Sequence, residues 1–213
     1  MLTIVEELFM LGLHDESGKI PNGIAISLRF ALGGGILSEL LLAGKIQLNE
    51  NKKIIFLDRA PYEDPILNEA LEKIKAGGHP RKIAYWINEI THKPKKLLRR
   101  LGEGLVAKGI LRQEEKHYLW VIPYLVFPQQ DASAKFWVKQ HLRSVILAGE
   151  IADFHAVLTL ILAQAGGMLE FIFTRDEIKT ARKRIAKIAR DTRLGPEINA
   201  AIAEIEDAVA AWS

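Results

Sequence analysis

The sequence predicts a mainly α-helical protein: a helical bundle core surrounded by further helices, with two small β-hairpins in winged-helix-like units. Three observations predict it. Apolar residues recur at helical spacing along most of the chain. The segments so marked open on capping residues or prolines and close on glycines. A pattern of helix, glycine, strand, polar turn and strand occurs twice. At 213 residues, 49% of them apolar, the chain can bury a sizeable core. No low-complexity linker divides it, so residues 1–213 read as a single domain.

Thr3 and Glu6 have the spacing of a capping box for the first helix, and Gly12 lies near its end. A polar loop over 14–23 leads into a second helix over about 24–43. Ile24, Ile26, Leu28, Phe30, Leu32, Ile36, Leu37, Leu40 and Leu41 make that helix apolar almost all round, which predicts a central, buried position. Asp64 and Pro65 suit the N-cap and first position of the next helix, and Gly77-Gly78 ends it. Pro80 and Pro94 open two more, the second ending at Gly109. Further helices are expected at about 133–148, 151–165, 175–190 and 196–211. The repeat has a spacing of 65 residues, Gly44 to Gly109. It predicts strands at Ile54-Ile55-Phe56 and at Leu119-Trp120-Val121, each after a polar turn.

Chemistry is harder to find. The formal charge of +3 is too small to decide a partner, so the placement of charge matters more than its sum. The chain has no cysteine, which excludes disulfides and thiolate metal sites and suits a reducing compartment. Glu6-Glu7 interrupt the apolar N-terminus, against a signal peptide. The stretch 156–165 is too short to span a bilayer, which takes about 20 apolar residues. A cytoplasmic protein without a transmembrane segment is expected. Gly44-Lys45 is followed by Ile46, so no phosphate loop is present, and neither is a nucleophile elbow or a zinc-binding histidine pair. Asp153 and His155 are two residues apart, so on a helix they face different ways; they read as a polar pair at a helix end. No enzymatic activity, metal or cofactor is expected.

Three basic features stand out. Arg29 is the only basic residue of the second helix, so it has to meet a carboxylate, the surface or an anionic ligand. Gly33, four residues on, lies on the same face and would leave room beside it. Segment 93–100 carries five positive charges, with Lys95, Lys96 and Arg99 among them. In the last basic segment Thr174 and Glu177 form a second capping box, and Ile178, Ala181, Ile185 and Ile188 make one apolar stripe. Lys179, Arg182, Lys183, Lys187 and Arg190 project roughly opposite. Each feature reads either as solvated surface or as a docking site for phosphate-bearing partners.

The opening Leu2-Thr3-Ile4-Val5-Glu6-Glu7-Leu8-Phe9-Met10-Leu11-Gly12-Leu13 and the later stretch Ile36-Leu37-Ser38-Glu39-Leu40-Leu41-Leu42-Ala43-Gly44-Lys45-Ile46 are similar to the Golgi phosphoprotein 3 family. Segments 67–74, 86–87, 105–111 and 160–170 extend the resemblance over most of the chain. It implies a mainly helical, non-enzymatic peripheral adaptor that binds phosphatidylinositol 4-phosphate and client proteins, the cytosolic tails of glycosyltransferases. The residues that would read the lipid are largely replaced. A tryptophan of the Golgi members falls in Asn22-Gly23-Ile24-Ala25, and the arginine of their Leu-Arg-Gly falls at Gly33 in Leu32-Gly33-Gly34. Their Arg-x-x-Arg falls at Ile151-Ala152-Asp153-Phe154, and their β-hairpin insertion is shortened to Phe171-Ile172-Phe173-Thr174. The chain resembles a core-only, bacterial-like member that lacks the N-terminal extension used for coat binding.

Arg29 and Gly33 are therefore the first candidates for a lipid head group, with Arg143 and His155 near the second arginine motif. Lys95, Lys96, Arg99, Lys179, Arg182, Lys183 and Lys187 are candidates for a basic membrane-facing surface. Anionic phospholipid is the expected partner, helped by apolar contact from a loop such as Ile20-Pro21-Asn22. The alternatives are a nucleic-acid-binding protein of winged-helix type, suggested by the repeat and segment 93–100, and a lipid-independent protein scaffold. Leu97, Leu98, Leu101 and Leu105 would bury much of the 93–100 helix, which counts against nucleic acid.

Overall fold

The helix that is apolar almost all round becomes the axis of the molecule, because every side of it has to be covered. The structure is a computed structural model and describes residues 2–57, 60–119, 121–191 and 196–212. The axis is α2 (Ala25–Leu42). Around it pack α1 (Ile4–Leu11), α3 (Pro65–Ala76), α4 (Ile83–Thr91), α7 (Phe154–Ala165) and α9 (Pro196–Ala210). The segment Asn22–Leu42 is long and apolar enough to cross a bilayer, but 78% of its most apolar window is buried inside the fold. It is longer than 156–165, which the sequence reading takes as the longest apolar stretch.

Gly33, Gly34 and Gly35 let the neighbours approach. A methyl group at Gly33 would stand 3.0 Å from side-chain atoms of Ile87 and Thr91 on α4. At Gly34 it would stand 2.9 Å from Leu162 on α7 and Ile205 on α9, and at Gly35 3.3 Å from Val5 and Leu8 on α1. Successive helix positions point about 100° apart, so each glycine admits a different helix. The room expected beside Arg29 at Gly33 is thus filled by α4. It is a packing position.

Local signals place most helix ends correctly. Thr3 and Glu6 form the capping box of α1, Gly12 is its C-cap, and Asp64 accepts from the N–H groups of Ile66 and Leu67 at the head of α3. Pro94 opens α5 (Pro94–Ala107). Gly78 and Gly109 take positive φ, +72° and +73°, just past their helices. Helix α6 (Ala132–Arg143) runs on into a π-helical turn (Ser144–Ala148), and α8 (Arg175–Asp191) buries Ala181 and Ile185 as it packs on α7.

The strands depart from the reading in two places. β1 (Ile46–Leu48) and β2 (Lys53–Phe56) form the first hairpin, and β3 (Arg81–Lys82) joins it as a third antiparallel strand. Pro80 therefore precedes a strand, and α4 starts only at Ile83. In the second unit β4 (Glu114–Tyr118) pairs with β5 (Ile122–Val126). The charged residues Glu114, Glu115 and Lys116, expected as the turn, are strand. Leu119 has φ +50° in the turn, Val121 of the same turn is 77% exposed, and Trp120 lies outside the described residues. Strand propensity measures fit to a half-buried surface, and among the described residues Leu119 and Val121 at this tip stand in solvent.

Candidate functional site

Helix α8 is amphipathic for local reasons. The Glu177 carboxylate accepts from the Thr174 N–H at 2.9 Å, as the capping pattern predicts, and Ile178, Ala181, Ile185 and Ile188 turn inward. Lys179, Arg182, Lys183 and Lys187 are left exposed on the other side, with no carboxylate between Glu177 and Asp191. Among the described residues none of these four forms an ion pair. Arg184 behaves differently: its guanidinium donates to the carbonyls of Ile146 and Leu147 and fastens α8 to the π-turn. Arg184, at the edge of the basic face, therefore sets that face beside the π-turn.

That loop and its neighbours carry large apolar side chains in solvent. Ile151 is 96% exposed, Trp137 66% and Phe154 45%. His141 lies 3.6 Å from Asp153, which ties α6 to the head of α7. Trp137 is one turn before His141 on α6, and Ile151 and Phe154 lie within two residues of Asp153 along the chain. By contrast, Ile20 of the loop expected to supply apolar contact is half-buried and packs on the core. A second apolar tip, Leu119, Val121 and Ile122 on the β4–β5 hairpin, stands apart from any free cation of its own: Arg112 and Lys116 are both held by Glu114.

The other basic segment is internally matched. Glu69 on α3 lies 3.5 Å from Lys96 and 3.7 Å from Lys73, and it pairs with Arg100. Burial opposes the Glu69 carboxylate, but the charges of Arg100 and Lys96 outweigh it and lower its pKa. Arg99 pairs with Glu103 at 2.7 Å. Of the candidates here, only Lys95 has no ion pair among the described residues. Lys96 and Arg100 bind α5 to α3, while the Arg99 pair lies within α5.

The four head-group candidates do not converge. Arg29 is half-buried near the N-terminal end of α2. Its Nε donates to Thr91 Oγ1 at 3.1 Å, and its guanidinium lies 5.0 Å from the ring of Phe30, which stacks on Trp212. Among the described residues it meets no carboxylate. Arg143 makes a bidentate pair with Glu177, both contacts 2.7 Å, and also donates to the Ile172 carbonyl at 3.0 Å. The hydrogen bond from Arg143, with that from the Thr174 backbone, pulls the Glu177 pKa down to about 2. Arg143 is thereby a clamp between α6 and α8. His155 lies 3.2 Å from Glu7 in an ion-pair contact that is not aligned as a hydrogen bond. Burial disfavours its charged form, but Glu7 and then Glu39 outweigh burial and raise its pKa. Glu39 lies ten residues from Arg29 along α2, about 15 Å at the usual helical rise.

Several residues that matter give little sign in the sequence. Glu39, buried enough to raise its own pKa, accepts from the Ile4 N–H at 2.6 Å and so caps α1 from α2. A charge inside an apolar helix was the available signal, as it was for Arg29. Glu69 and Ile151 had none. Among the described residues no group of three His, Asp or Glu side chains could hold a metal ion.

A family model described as Golgi phosphoprotein 3 (GPP34) matches residues 4–205. The curated relatives include vacuolar protein sorting-associated protein 74 of Eremothecium gossypii, 30% identical over 167 residues, which is 68% of this chain and 49% of that protein. The protein of the same name from Schizosaccharomyces pombe is 30% identical over 168 residues, 68% of this chain and 48% of the relative. The chain spans about half the length of the curated relatives it matches.

Proposed function

Since the chain belongs to the Golgi phosphoprotein 3 family, we propose that it is a non-enzymatic peripheral adaptor that docks on anionic membrane through α8 and the loop before α7. The observation that carries this reading is a row of four cations without ion-pair partners among the described residues, on the helix that Arg184 fastens to the π-turn just before exposed Ile151 and Phe154. The relatives' name places them in protein sorting, which supports an adaptor that brings client proteins to a membrane. The location that follows is cytoplasmic, with transient membrane association.

Docking has two physical parts. Each lysine or arginine near an anionic leaflet contributes about 1 kcal/mol within roughly one Debye length of the surface. The exposed apolar side chains then enter the head-group boundary, where full burial of an isoleucine or phenylalanine contributes about 1.5–3 kcal/mol. Arg143 is held by Glu177, and Ile151-Ala152-Asp153-Phe154 contains no arginine, so this face recognises charge without reading a particular head group. Phosphatidylinositol 4-phosphate is bound as one anionic lipid among others. The nucleic-acid reading is weaker, because Lys96, Arg99 and Arg100 are tied to Glu69 and Glu103.

Co-flotation with neutral, phosphatidylserine-containing and phosphatidylinositol 4-phosphate-containing vesicles tests the reading. The expected result is binding to both anionic kinds, lost at high salt. Failure to bind either at low salt contradicts it. Binding confined to the phosphoinositide and abolished in Arg29→Ala would replace charge docking with a head-group site on α2.

A further inference from the structure

Positive charge is concentrated a second time on different elements, and there the backbone register itself forces cations together. Lys53 of β2 and Lys82 of β3 are direct cross-strand partners. Like charges placed directly opposite on paired strands destabilise a sheet. Arg81, the neighbour of Lys82, lies with its guanidinium 5.2 Å from the Tyr85 ring. Lys82 is also the N-cap residue of α4 and makes no side-chain cap, so the positive end of the helix dipole adds to the cations. The adjoining Lys52 shows the ordinary solution, an ion pair with Glu204 at 2.5 Å. Among the described residues Lys53, Arg81 and Lys82 have none.

These side chains line an open cup of about 480 Å³ together with Asn51, His79 and Tyr85, and among the described residues no carboxylate lines it. Its volume falls within the range of small-ligand sites. The placement is costly for an empty surface and favourable once an anion lies between the strands. We infer that the cup is an oxyanion site for a phosphate-bearing small molecule, its phosphate held by Lys53, Arg81 and Lys82. Asn51 and His79 supply hydrogen-bonding groups for the remainder of the ligand. The cup is concave, and the Arg81 guanidinium lies over one face of its large aromatic side chain, Tyr85, so a soluble ligand fits it better than a flat bilayer. The inference does not depend on the docking face of α8.

The test is thermal unfolding and amide NMR of the full chain titrated with inorganic pyrophosphate, against chloride at equal ionic strength. Wild type, Lys82→Gln and Lys179→Gln are compared. Pyrophosphate is expected to stabilise wild type and Lys179→Gln equally, with shifts at Asn51 and Tyr85. Loss of one charged contact in Lys82→Gln should weaken binding about tenfold or more. In chloride alone Lys82→Gln should unfold at a higher temperature than wild type, because the cross-strand repulsion is gone. No pyrophosphate-specific response, an equal loss in both variants, or a lower unfolding temperature for Lys82→Gln in chloride would overturn the inference. Binding seen only when the phosphate is presented on vesicles, and lost in Lys82→Gln, would assign the cup to a membrane and overturn the soluble ligand.

Discussion

Helices α5 and α8 carry similar positive charge in sequence, and the fold treats them in opposite ways. On α5, Lys96 and Arg100 converge on Glu69 and so join α5 to α3, and Arg99 is matched within the helix by Glu103. On α8, Lys179, Arg182, Lys183 and Lys187 face solvent without ion-pair partners among the described residues, and the π-turn that Arg184 fastens to this helix leads on to exposed Ile151 and Phe154. A basic run is free to meet an anionic partner only where the fold leaves it unmatched.

The sharpest way to break this comparison is to reverse charge on each helix in turn. The triple variant Lys179→Glu, Lys183→Glu, Lys187→Glu should lose anionic-vesicle binding by at least about a hundredfold, at roughly 1 kcal/mol for each charge near the surface. The same reversal at Lys95, Lys96 and Arg99 should cost less than about tenfold on the same scale, while unfolding at a lower temperature. Equal losses from the two helices in co-flotation would erase the distinction.

Next in size is the apolar contact. Ile151→Asp should weaken vesicle binding about tenfold or more, from loss of burial worth about 1.5–3 kcal/mol. Because Ile151 is 96% exposed, stability by chemical denaturation should stay within about 0.5 kcal/mol of wild type.

How far the sequence shows this contrast depends on the range of each interaction. Thr3 with Glu6, Asp64 with Pro65, and Gly109 act within a turn, and their helix ends were readable. The amphipathic pattern of α8 was readable for the same reason. The matching of α5 was not, because Glu69 and Arg100 are 31 residues apart. The pairing of Arg143 with Glu177 spans 34 residues, which is how a structural clamp passed for a ligand contact. β3 was missed because its two residues gain their conformation only by pairing with β2. Ile151, a lone isoleucine near an aspartate, carries no pattern that marks it as exposed.

A smaller effect sharpens the α5 side. Glu69→Gln should release Lys96 and Arg100, raise affinity for anionic vesicles a few-fold, and cost stability. The carboxylate is 37% exposed, so solvent screening holds that cost to about 1 kcal/mol or less. Unchanged vesicle affinity would mean that Glu69 does not restrain these cations.

The smallest effect concerns a cation matched in the interior. His155 has its pKa raised above 6.5 by Glu7 and Glu39 against the opposing effect of burial. The folded state thus holds the proton more tightly than the unfolded chain. The stability this gives is fully present below about pH 6.5 and is lost as pH rises through the higher folded value. The advantage of wild type over His155→Gln in denaturant titrations should shrink from pH 6 upward. Asp153 adds in the same direction. An advantage that grows with pH would contradict the assignment.

The central claim is that α8 and the loop before α7 meet the membrane, and an environment-sensitive fluorophore tests it most directly. The chain has no cysteine, so Ile151→Cys and Lys95→Cys each give a single labelling site. On anionic vesicles the probe at position 151 should shift to the blue and become shielded from aqueous quencher, while the probe at position 95 stays in water. A shift at position 95 with none at position 151 would contradict the account.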